Sequence, residues 1–97
     1  MNERAKIIFN QVYKGQTNFI TPEILDYFDL GNGLYAELSQ GEAENHSMLY
    51  SVMVVQANGK EYIKRDDLHQ LFKNHKEAVK YIVQLQKGSG ENAERSD

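Results

Sequence analysis

The stretch from Met48 to Gln56 carries apolar side chains on both of its alternating sets, with Tyr50, Val52 and Val54 pointing one way and Leu49, Met53 and Val55 the other. A strand half in water alternates apolar with polar residues, so this pattern belongs at the centre of a sheet. The chain must therefore supply neighbouring strands and something to lie over them. Asn58-Gly59 is a two-residue hairpin signal that returns the chain as a short strand through Glu61-Tyr62-Ile63. Upstream, Leu34, Ala36 and Leu38 alternate with Tyr35, Glu37 and Ser39, the signature of a half-buried strand that follows the turn Gly31-Asn32-Gly33.

The segment from Thr21 to Leu30 reads two ways. Thr21 before Pro22 resembles a helix N-cap with proline in the first turn, whereas Tyr27 and Phe28 running into Gly31-Asn32-Gly33 fit a hairpin. The hairpin is the favoured reading, with Pro22 near the start of an edge strand where its missing donor does no harm. Asp66 to Phe72 is equally open between a helical turn and a short edge strand.

Two amphipathic helices flank the strands. Ala5, Ile8, Phe9, Val12 and Tyr13 share one helical stripe, predicting a helix from about Glu3 to Lys14 that Gly15 closes. Near the other end Asn74 is an N-cap candidate with Glu77 three residues on; Ala78, Tyr81, Ile82 and Leu85 make the apolar stripe, and Gly88 is the expected stop. The expected architecture is α+β: an N-terminal helix, a three- to four-stranded antiparallel sheet and a C-terminal helix packed on one sheet face, with the other face left open. One domain covers residues 1–87. Residues 88–97, with Ala93 as their only apolar side chain, form an expected disordered tail.

Of the 97 residues, 40% are hydrophobic and none is cysteine, which excludes disulfides, thiolate metal sites and cysteine nucleophiles. No run is apolar enough for a signal peptide or membrane span, so a cytoplasmic location is expected. The net charge of −3 is unevenly distributed. Three Lys and Arg face seven Asp and Glu up to Gly59, and seven face four from Lys60 to Lys87.

Catalytic and metal signatures are sparse. His46, His69 and His75 lack the spacing that would set two imidazoles on one helix face, and no cofactor motif is present. Asp26 and Glu37 are a candidate acid/base pair if the first hairpin brings them face to face. Candidate binding residues are Tyr27, Tyr35 and Tyr62 on the open sheet face, where aromatic rings stack on bases or anchor a protein. Beside them Lys60, Lys64, Arg65, Lys73, Lys76 and Lys80 make a candidate phosphate-contacting strip, interrupted by Asp66, Asp67 and Glu77. A rival surface is acidic: Glu23, Asp26, Asp29, Glu37, Glu42 and Glu44 would dock on a basic protein.

Phe19-Ile20-Thr21-Pro22, the run from Gly33-Leu34-Tyr35-Ala36-Glu37-Leu38-Ser39 to Gly41, Leu49-Tyr50-Ser51-Val52, and Lys76-Glu77-Ala78 with Tyr81-Ile82 resemble a group of small uncharacterised proteins of prophages and mobile elements in Gram-positive bacteria. The resemblance implies a setting and no activity. Phe72 and Lys76-Glu77-Ala78 entering a helix after a small sheet are similar to the arm-binding domains of phage integrases, and the helix-sheet-helix order is similar to double-stranded RNA-binding domains. The expectation from sequence is thus a non-enzymatic binding or regulatory protein with a protein or nucleic-acid partner, as a monomer or homodimer.

Overall fold

In the computed structural model of the chain, residues 2–13, 22–31, 33–43 and 45–91 are described, with side chains as far as residue 87. The strand expected at the centre is there. It is β3 (Met48–Asn58), flanked by β2 (Leu34–Glu42), which in turn pairs with β1 (Glu23–Gly31). On the other side of β3 lie β4 (Glu61–Lys64) and β5 (Gln70–Phe72), all pairings being antiparallel. The helices are α1 (Glu3–Tyr13) and α2 (His75–Glu91).

β4 and β5 share one edge of β3 because β2 occupies the other along Met48 to Gln56. Val55 pairs with Lys64 and Tyr50 with Phe72, so five steps along β3 answer to eight along its partner. The three extra residues are taken up where Arg65 closes the β4 ladder through its N–H to the Val54 carbonyl (2.9 Å) and the chain turns through a 3₁₀ segment, Asp66–Leu68. Both readings of Asp66 to Phe72 therefore hold in succession: one helical turn, then a three-residue edge strand.

Pleating sorts the strand residues into two cores. Tyr27, Tyr35, Met53 and Val55 lie with Ala5, Ile8, Phe9 and Tyr13 of α1. Leu30, Ala36, Leu38, Val52 and Val54 lie with Ala78 and Ile82 of α2. The two helices thus cover opposite faces, and the expectation of one open face is corrected. The reason was already visible in β3, whose two apolar sets each need a cover.

The first segment in question is strand β1, and its hairpin with β2 turns after Gly31 as expected; Asn32 lies outside the described residues. β1 is an outer strand, and it is ill suited to accept another chain. Its register with β2 is broken between Ile24 and Asp26 and again between Asp29 and Gly31, Pro22 precedes it, and two carboxylates take up backbone donors of the strand itself. Asp26 accepts from the Tyr27 N–H at 2.8 Å and Asp29 from the Gly31 N–H at 3.1 Å. Bulges, proline and edge charges all discourage strand addition.

Two turns differ from expectation. Asn58 pairs with Glu61, so the β3–β4 loop is Gly59-Lys60 rather than Asn58-Gly59. Among the described loop residues only Gly59 needs positive φ (66°), which matches the II′ pattern with glycine first. The Asn74 cap holds, its Oδ1 accepting from the Glu77 N–H at 2.9 Å, but α2 continues through Gly88 to Glu91. Glycine permits a stop without forcing one. The proposed cap at Lys14-Gly15 and the tail beyond residue 91 lie outside the described residues. No described helix is long and apolar enough to cross a membrane.

Candidate functional site

The tyrosines expected on an open face are mostly inside. Tyr27 and Tyr35 are each 6% exposed beneath α1. Phe9 packs its ring 5.8 Å from Tyr27 and stacks 5.6 Å from Tyr13. Burial pushes the Tyr13 and Tyr27 hydroxyls up to about 12. Tyr27 also donates to Glu37, the residue opposite it across the hairpin, whose carboxyl is raised by burial and pulled back by that bond. Arg4, at the start of α1, donates to the Tyr35 hydroxyl. These contacts serve the core and leave neither ring for a partner.

Tyr62 is half-buried, edge-on to Tyr35 with centroids 6.4 Å apart. Together with Gln11, Val12, Glu61 and Lys64 it lines an open groove of about 520 Å³ between α1 and β4. Lys64 places its Nζ 4.9 Å from the centre of the Tyr13 ring, a cation–π contact at the end of that groove. Two of the expected binding residues therefore meet here, on the α1 side of the sheet.

The basic strip is divided. Lys60 sits in the β3–β4 turn, and Lys64 shares the α1 face with its partner Val55. Arg65 is committed: its Nε and Nη2 donate to the Asp67 carboxylate at 2.9 and 2.7 Å, and its Nη1 donates to Gln56. That pairing raises Arg65 and lowers Asp67 from their ordinary values, with the Arg65 side chain half-buried and Asp67 exposed. Lys76 and Lys80 lie on α2, across the sheet, and Lys73 immediately precedes that helix. No single strip runs from Lys60 to Lys80.

What α2 does assemble is a shorter row. Lys76, Lys80 and Lys87 are all exposed and, at 3.6 residues per turn, fall within about 40° of one another around the helix. Ala78 and Ile82, buried against the sheet, lie roughly opposite. The row spans about 16 Å along the helix axis. Two residues flank the arc at about 20°, Val83, 43% exposed, on one side and Glu91, the last residue of the helix, on the other. Glu77, the acidic residue of the first turn, points to a flank. From Lys73 to Lys87 four lysines against one glutamate give a local charge of +3 on a chain of net −3. Lys87 stands outside the strip expected from sequence because it follows Lys80 by seven residues, and the helical pitch brings it into line.

The acidic set does not form a surface of the same kind. Glu37 lies on the α1 face beside Tyr27, and Asp26 and Asp29 serve backbone donors on β1. Glu42 is held by the His46 ring at 2.7 Å, and Glu44 lies outside the described residues. Asp26 and Glu37 are not an acid/base pair either. Asp26 pairs with Leu38 and Tyr27 with Glu37, so neighbouring positions send the two carboxylates to opposite faces.

The remaining histidines have structural partners. His75 packs edge-on to Tyr50, 5.6 Å between ring centres. His69 Nε2 lies 3.1 Å from the Ser51 hydroxyl. A serine and histidine at that distance have nucleophile-and-base geometry, but Ser51 is only 2% exposed. Its place is between strands, where it ties β5 to β3. Among the described residues no group of three metal-ligating side chains comes together. No family model matches the chain, and no curated protein or solved structure matches it with significance.

Proposed function

We propose that this chain is a non-enzymatic binding protein whose contact surface is the outward face of α2, and that its partner is an anionic macromolecule. The observation that carries the reading is the row Lys76, Lys80, Lys87, three exposed cations in one arc of about 40°, with Glu77 and Glu91 outside it on one flank. Surface lysines ordinarily alternate with acids. Of the acids elsewhere on the chain, Asp26, Asp29 and Glu42 are engaged. A field of one sign on one side of a small acidic protein orients it toward a negative partner. Docking through the acidic residues on a basic protein has less support, because those carboxylates are dispersed over both faces and one edge. A mobile-element setting, implied by the resemblance, and a cytoplasmic location belong to the same proposal.

The test is retention on immobilised heparin, a sulfated polyanion, at low salt. The folded chain is expected to be retained and to elute later than the K76Q/K80Q/K87Q variant. Passage of the unaltered chain without retention would sink the reading.

A further inference from the structure

Resting on that reading of α2, we infer that the anionic partner is double-stranded DNA, gripped by its phosphate backbone without reading of sequence. Four observations converge. The first is the chemistry of the row: lysine offers a compact point charge suited to phosphate, without the planar fork by which arginine, or the amide by which asparagine and glutamine, reads a base edge. The arc itself holds Lys76, Lys80 and Lys87, with Val83 and Glu91 at its two margins.

The second observation tells against a protein partner. Centres of protein interfaces are depleted in lysine and built on aromatic or arginine anchors. The α2 arc presents neither, and the helix's own aromatic, Tyr81, is turned inward, its hydroxyl donating to the Leu68 carbonyl at 2.6 Å.

The third concerns strandedness. Proteins that hold single strands stack bases on exposed rings. Tyr27 and Tyr35, the rings that would have served, are buried under α1 on the far side of the sheet. The fourth separates DNA from RNA by groove shape: the major groove of A-form RNA is deep and too narrow for a helix to enter. B-form DNA, with a major groove about 12 Å wide, lets a helix lie against its phosphates.

The experiment uses the full chain and a fluorescently labelled mixed-sequence DNA duplex of about 20 base pairs, read by anisotropy. Three phosphate contacts predict a log–log salt slope of about −2.7, or roughly 40-fold weaker binding between about 50 and about 200 mM salt. A scrambled duplex should bind equally. K76Q/K80Q/K87Q, and separately V83E, which sets a carboxylate at the margin of the arc without removing a lysine, should each weaken binding at least about tenfold. Both variants alter exposed positions, and circular dichroism is the check that they fold. If the duplex is ignored while heparin still retains the chain through the same lysines, DNA is the wrong partner and the α2 reading stands. Equal binding of the duplex by the unaltered chain and both variants would overturn the α2 face itself. Tighter binding of the single strand, of duplex RNA or of polyglutamate would overturn the choice of duplex DNA.

Discussion

Glu37 shows at the scale of one residue how burial and hydrogen bonding contend. It stands on the sheet face that α1 covers, accepts from Tyr27 and lies close enough to Tyr13 to raise that hydroxyl as well. Burial wins over the Tyr27 bond, so the folded-state value of this carboxyl is above its ordinary 4.5. A raised value makes its stabilising contribution fully present below the unfolded-state value and lost as pH rises through the folded-state one. Glu37→Gln keeps an acceptor for Tyr27 and removes the charge. It is therefore expected to gain stability relative to the native chain at about pH 7 and to lose that gain near pH 4. Chemical denaturation at the two pH values checks this, and an offset independent of pH would contradict it.

At the scale of the element, α2 depends on both of its faces. Its inner side rests on Leu38, Val52 and Val54, and its first turn is closed by Asn74, whose side chain takes up the Glu77 N–H. Asn74→Ala is expected to cost about 1 kcal/mol, which for a domain of this size lowers Tm by about 4–8 °C. A thermal melt within about 1 °C of the native one would show that the cap does not limit the helix. The second outer edge of the sheet shows the opposite use of local structure. There the 3₁₀ turn Asp66–Leu68 splits what would be one long edge into β4 and β5, each too short to template another chain.

For the whole molecule, the consequence of helices on opposite faces is that β2 and β3 serve two cores at once. Tyr35, Met53 and Val55 belong to one, and Ala36, Leu38, Val52 and Val54 to the other, on the same two strands. Neither core can be lost while the strands remain supported, so unfolding is expected to be a single transition. Phe9→Ala, at a side chain 1% exposed in the α1 core, is expected to cost about 3–5 kcal/mol. The loss should appear equally in far-ultraviolet circular dichroism and in tyrosine fluorescence. Separate midpoints for the two signals would mean that α1 and its core melt on their own.

By itself the sequence determined most of the elements, because those depend on short-range periodicity, and left open Thr21 to Leu30 and Asp66 to Phe72, where two periodicities compete over few residues. The two helical stripes, the doubly apolar β3, the hairpin at Gly31 and the Asn74 cap are each written in a dozen residues or fewer and stand where expected. Only the tertiary structure decided which element covers which face. A tyrosine pattern such as Tyr27 and Tyr35 reads the same whether water or Phe9 lies over it, and the difference rests on where a helix more than ten residues away is laid down. The same holds for charge. Lys60 to Lys80 are near one another in sequence, but the sheet passes between them, and the row that survives is the one that the pitch of a single helix holds in line.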